Sequence, residues 1–139
     1  MEVVNEVVPS SQEQLEAMGQ PGPDGPIFMV NLVKFKDKAE YADGRSNSLT
    51  GMEAYALYGV EVAKIVASLG GEVVFAGDVT FLSLGQVEEL WDQVSIVKYP
   101  NRAAMVSMIL SEEYQAIHHH REAGLAGQLN IETVGGQIG

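Results

Sequence analysis

The sequence predicts an α+β fold of the ferredoxin-like type. Its elements run β-α-β-β-α-β, giving a four-stranded antiparallel sheet with both helices on one face. Three observations predict this. Four short runs rich in Val, Ile, Leu and Phe alternate with two longer runs of helical spacing. Gly and Pro mark the junctions between them. A length of 139 residues, 46% of them hydrophobic and 19% charged, suits one globular domain.

The elements follow in order. Residues 1–25 read as an appendage, and residues 26–139 as the single ferredoxin-like domain. Within the appendage, Ser10 or Ser11 can cap a short helix over 10–18. The stretch Gln20-Pro21-Gly22-Pro23-Asp24-Gly25-Pro26 cannot continue it. Ile27 to Phe35 is a strand whose nearly unbroken apolar character suits a central position. Residues 36–50 form a polar loop, long enough to serve as a lid or binding loop.

Thr50 and Glu53 fit a capping box that opens the first long helix. Met52, Tyr55, Ala56, Gly59, Val62, Ala63, Val66 and Leu69 define its expected buried face, and Gly70-Gly71 stops it. The second strand is expected over Glu72 to Leu84, with a bend at Gly77-Asp78. The third runs from Trp91 to Tyr99 and ends at Pro100. Asn101 caps a helix through Leu110, and Ser111 restarts it toward a stop at Gly124. Gln128 to Val134 is the fourth strand, followed by the tail Gly135 to Gly139.

Both helices cover the same sheet face, yet the strands are apolar on both, as in Phe28-Met29-Val30 and Val73-Val74-Phe75. The uncovered face needs a cover. A second copy of the chain supplies one, because the patch is self-complementary about a two-fold axis. A homodimer is therefore expected before any resemblance is considered.

Composition excludes several function classes. The net charge is -11, from 19 acids against 8 bases, so nucleic acid and anionic membrane surfaces are disfavoured partners. Without cysteine there is no disulfide, thiolate metal site or Cys nucleophile. Met1 to Glu6 lacks the charged and apolar regions of a signal peptide, so a cytoplasmic location is expected. No Gly-x-Gly-x-x-Gly or Gly-x-Ser-x-Gly is present, so neither a nucleotide cofactor nor a hydrolase triad is implied. The run His118-His119-His120 is not a helical metal motif. Consecutive helical residues point about 100° apart, so no two of these histidines share a face. No metal and no cofactor are expected.

The candidate site residues are few. Asn31 interrupts a buried strand, and an unpaired amide there costs about 1–3 kcal/mol. It either orients a ligand at a pocket floor or ties neighbouring backbone together. Tyr114, Ile117, His118 and Arg121 share one helical face. An aromatic, an imidazole and a guanidinium converging on the sheet suit an anionic or carbonyl-bearing ligand. Arg121 would bind the oxygen, and His118 would move a proton. The competing reading puts Tyr114 and Ile117 in the core and pairs Arg121 with Glu122, Glu53 or another acid. Tyr58 and Tyr99 are candidates to enclose a ligand. Tyr58 could instead be the rim of a core centred on Tyr55. Arg102, beside Asn101 at a helix amino end, is either an anion site or a surface ion pair.

The same chain resembles a bacterial domain-of-unknown-function family, number 1330, of the dimeric α+β barrel superfamily. The carrying segments are Met29 to Phe35, Ala39-Glu40-Tyr41, and Gly51-Met52-Glu53-Ala54-Tyr55 with Tyr58. After these come Gly70-Gly71, Trp91-Asp92, Tyr99-Pro100-Asn101-Arg102, Tyr114, and Arg121 with Ala123-Gly124-Leu125. The similarity extends from about Pro26 to Thr133. It implies a ferredoxin-like protomer, a dimer formed sheet to sheet, and a ligand pocket between sheet and helices. The superfamily includes monooxygenases, isomerases, dehalogenases and haem-using enzymes. The expectation is a homodimeric protein that binds a small organic ligand, with a cofactor-independent monooxygenase- or isomerase-like enzyme as its catalytic form. The alternative is a non-catalytic dimeric binding or interaction module.

Overall fold

The computed structural model describes residues 6–9 and 11–135. Ser10 and the tail residues Gly136 to Gly139, named above, lie outside the described residues. The sheet has four strands, β1 (Ile27–Phe35), β2 (Glu72–Asp78), β3 (Gln93–Tyr99) and β4 (Leu125–Thr133). The order across it is β2-β3-β1-β4, and every pairing is antiparallel. Among the described residues, five helices accompany it, α1 (Gln12–Met18), α2 (Gly51–Ser68), α3 (Arg102–Ile109), α4 (Glu112–Gln115) and α5 (His118–Gly124). The fold class is the ferredoxin-like one.

Local signals set most boundaries. Thr50 and Glu53 close the capping box on each other's backbone N–H groups. Ser11 caps α1 and Asn101 caps α3, each through its side-chain oxygen. Gly70 stops α2 at a φ of 83°, a left-handed conformation that side chains resist.

Four expectations are corrected. The second strand ends at Asp78 rather than Leu84, because β3 begins at Gln93 and the pairing closes with one further bond, from Val79 N to Asp92 O. The irregularity in β2 lies between Val73 and Phe75, not at Gly77-Asp78. The last helix breaks in two. Ile117 takes a φ of -118°, and its N–H bonds to Tyr114 O three residues back, which ends α4 and starts α5 on a new axis. The buried face of α2 is Gly51, Ala54, Tyr58 and Val66, while Met52 is exposed.

A close backbone approach adds Gly51 and Ala54 to the buried face, while Tyr55, Val62, Val66 and Leu69 pack on the core as expected. A Cβ placed on Gly51 would come within 2.6 Å of Gly124 O and nearer still to Lys36 O. Glycine at both positions lets α2 and α5 touch backbone to backbone. No linker separates α5 from β4, since Gly124 closes one and Leu125 opens the other.

The helix-facing side of the sheet carries Ile27, Met29, Asn31 and Val33 of β1 and Gln93, Ser95, Val97 and Tyr99 of β3. Gln128 and Asn130 of β4 pair with Val33 and Asn31 on the same side. A core of Ile27, Met29, Tyr58, Val66, Tyr99, Met105, Met108 and Tyr114 fills one half of the space under the helices. The fully buried Ile27 and Val66 each contribute on the order of 1.5–3 kcal/mol by burial.

The opposite side of the sheet is apolar as well. Phe28, Val30, Leu32, Val94, Ile96 and Leu129 point that way, as do Phe75 at 54% exposure and Ile131 at 46%. Among the described residues, no helix is long and apolar enough to cross a membrane.

Candidate functional site

Asn31 is the centre of a polar row on the helix-facing side. The β1–β4 register sets Asn130 directly beside it, with Gln128 two residues along. Gln128 is only 8% exposed, and each of its polar atoms is partnered. Its Nε2 donates to Asn31 Oδ1 at 3.1 Å and to Asn130 Oδ1 at 2.6 Å. Its Oε1 is therefore the atom left to face the helices, where it accepts from Arg121 Nη2 at 2.7 Å. Asn31 Nδ2 in turn donates to Met29 O at 3.2 Å and to Ser95 O at 3.5 Å. The amides thus hold one another in a single orientation.

A wall of rings stands beside this row. Phe35, Tyr55 and Tyr58 follow at centroid spacings of 5.4 Å each, and Tyr114 meets Tyr58 edge-on at 6.0 Å. The Tyr58 and Tyr114 hydroxyls lie 3.3 Å apart. Burial pushes the Tyr58 phenol well above its ordinary range, and pushes Tyr55 up as well. The Arg121 charge opposes the rise in both, so Arg121 lies close enough for the two rings to sense it. Both phenols remain protonated donors at neutral pH.

His118 extends the wall, stacked on Tyr114 at 6.2 Å with ring planes 9° apart. Its Nδ1 meets Glu122 Oε1 at 3.1 Å. With Glu122 accepting from Nδ1–H, Nε2 is the nitrogen left to accept a proton. That pairing orients the imidazole as a carboxylate orients a general base.

The three histidines diverge. His120 Nδ1 meets the Tyr41 hydroxyl at 2.8 Å, and His119 lies 4.0 Å from His120 between ring centres. Arg45 sits 4.7 Å above the Tyr41 ring and pairs with Asp43, whose carboxyl that contact holds near a pKa of about 2. Burial, then the nearby His119 and Arg45 charges, lowers the pKa of His120. The 36–50 loop is pinned onto α5 at this cluster. Glu40 N and Lys36 N donate to Ala123 O and Gly124 O, and Ala39 and Tyr41 are buried. Among the described residues, no three His, Asp or Glu side chains gather as metal ligands.

The fold thus joins Asn31 to Arg121 through Gln128, sets His118 against Tyr114, and places Tyr58 with Tyr114 in the packed core. Tyr99 lies in the packed core, opposite Ile27, where burial raises its phenol. Arg102 stands apart from the cluster. It grips Glu132 through Nε and Nη2, both at 2.7 Å, and donates to Ala17 O and Gln20 O of the appendage. Gln128 and Asn130 were missed by the sequence reading. Their signal was present: two amides two residues apart in an apolar run share one strand face.

The chain matches the family described as a domain of unknown function, DUF1330, over residues 41–134. It belongs to that family. The crystal structure of RPA0582, a protein of unknown function from Rhodopseudomonas palustris, is 32% identical with a TM-score of 0.84. That alignment covers 97% of this chain and 100% of the other. A methylated form of RPA0582 aligns at 34% identity and a TM-score of 0.86, over 99% of each chain. A protein from Bacteroides fragilis described as dimeric, of unknown function and of ferredoxin-like fold, shares the fold at 9% identity and a TM-score of 0.51. That alignment covers 78% of this chain and 94% of that one. No curated protein matches the chain.

Proposed function

We propose that this DUF1330 member is a homodimer that binds a small organic molecule between its sheet and its helices. The observation that carries the reading is the row Asn31–Gln128–Arg121 on the helix-facing side of the sheet. Polar groups held in one orientation at the floor of an apolar interlayer are how small-molecule sites obtain specificity. In the catalytic form of this reading, His118 moves a proton with Glu122 orienting it, and Arg121 takes a substrate oxygen. No metal or organic cofactor is required for such a step.

The dimer reading rests on the apolar sheet face opposite the helices. An apolar patch centred on Val30, Ile96 and Ile131 is large for a monomer surface, and a second copy covers it with the same residues. The Bacteroides fragilis protein, described as dimeric, adds a precedent for the fold.

Native mass spectrometry tests both parts. A dimer carrying a discrete extra mass supports the reading and gives the ligand's size. Ile131→Glu alters a side chain already 46% exposed in the protomer, so it should leave the protomer folded and convert the species to monomer. If Ile131→Glu remains dimeric, the sheet-to-sheet interface is wrong. A bare dimer that takes up no small molecule from a metabolite extract favours the interaction module instead.

A further inference from the structure

We propose that the polar half of the interlayer takes a monocarboxylate with a flat, apolar body, its carboxylate seated on Arg121. This rests on the small-molecule reading above and names the chemistry of that ligand.

The argument begins with a charge census. The chain has three arginines among its 8 bases, against 19 acids. Arg45 grips Asp43 through Nε and Nη2. Arg102 grips Glu132 in the same two-pronged way. Arg121 has no carboxylate within ion-pair distance among the described residues. Two acids near it in sequence or on the facing helix are committed elsewhere. Glu122 faces His118 Nδ1, and Glu53 closes the capping box on Thr50 N at 2.9 Å. The hydrogen bond Arg121 does make goes to a neutral amide oxygen, Gln128 Oε1. The amide row prevents Gln128 from turning away.

A guanidinium offers five N–H donors, and this one spends Nη2 on Gln128. Removing a charge partly from water without a counter-charge is costly. A chain this rich in acids that nevertheless withholds one from Arg121 leaves the counter-charge to the ligand. The ligand should carry a single charge. Arg121 is the one arginine beside the row, and His118 already faces Glu122. A dianion such as phosphate would bring a second negative charge into a chain of net charge -11 with nothing to meet it. A carboxylate presents two coplanar oxygens that suit the planar guanidinium. The part-exposed rings of Phe35 and Tyr55 then offer an aromatic wall to a flat body.

The test is calorimetric titration of the full chain with benzoate, benzamide and inorganic phosphate at one ionic strength. Benzamide keeps the shape of benzoate and removes its charge. Benzoate should bind, with benzamide and phosphate weaker by about tenfold or more. Arg121→Gln should weaken benzoate by about tenfold and benzamide by clearly less. Should that variant fail to fold, Arg121→Lys keeps the charge, loses the fork, and should bind benzoate at intermediate strength. Equal affinity for benzoate and benzamide, or no effect of either variant, overturns the carboxylate assignment and leaves the small-molecule reading standing. Tighter binding of phosphate than of benzoate overturns it in favour of an inorganic oxyanion. No heat from any probe, together with unmoved tyrosine ring signals in NMR, overturns both readings.

Discussion

The two halves of the space between sheet and helices are built on opposite rules. Toward Ile27 and Tyr99 the layers close on one another through Met105, Met108 and Val66. The arginine at that end is neutralised by Glu132 and tied to the appendage through Ala17 O and Gln20 O. Toward Asn31 and Gln128 the same sheet face turns polar, and the arginine there meets amides alone. One half maximises burial. The other keeps a cation and three amides in fixed positions. The difference teaches that a polar residue in this interlayer is informative only together with its partners. Arg102 and Arg121 look equivalent in the sequence and are opposite in the structure.

Four experiments break or sharpen that contrast. The largest loss is expected from Gly51→Ala, which drives a methyl group into Gly124 O and Lys36 O and prises α5 from α2. Overpacking of this kind costs about 3 kcal/mol, read as a fall in the denaturant midpoint. Next come matched substitutions at the two arginines. Arg102→Met leaves Glu132 and two carbonyl oxygens without their donor, so a smaller but clear fall in midpoint is expected. Arg121→Met removes a cation that lacks a carboxylate but leaves Gln128 Oε1 without its donor, so a fall smaller than at Arg102 is expected. Equal losses at both positions would erase the distinction between the halves.

The smallest effect concerns pH. His120 has its pKa held below the ordinary 6.5 by burial, His119 and Arg45. Tyr41 and the Asp43–Arg45 pair face the same cluster. The unfolded chain therefore takes up a proton there at a higher pH than the folded chain does. Stability from this group is present above pH 6.5 and is lost as pH falls below it, toward the lowered folded value. Denaturant midpoints taken from about pH 7 to about pH 5 should fall less steeply in His120→Gln than in the parent. Parallel pH profiles would show that His120 does not contribute.

Much of the fold was legible because its signals are local. Thr50 with Glu53, Asn101 with its helix, and Gly70 after Leu69 each mark an element end within four residues. What failed depended on distant partners. The extent of β2 is decided by where β3 begins, and the burial of Gly51 by Gly124 far along the chain. Asn31, Tyr58, His118 and Arg121 could be proposed from chemistry and spacing. That no acid among the described residues pairs with Arg121 is a fact of three dimensions. So is the Tyr41–His120 contact, which joins residues 79 apart in sequence.

The direct passage of α5 into β4 has a consequence for how this family could diversify. Arg121 and Gln128 ride on one uninterrupted piece of chain, clamped at Gly124 by the helix crossing and along β4 by the β1 register. That piece has no slack. A ligand larger or smaller by a few atoms cannot be accommodated by shifting the arginine. Adjustment must come from the opposite wall, where Tyr55 and Tyr58 sit on a separate helix and can be exchanged one ring at a time. The anchor would be inherited and the wall would vary, so specificity could drift without rebuilding the fold.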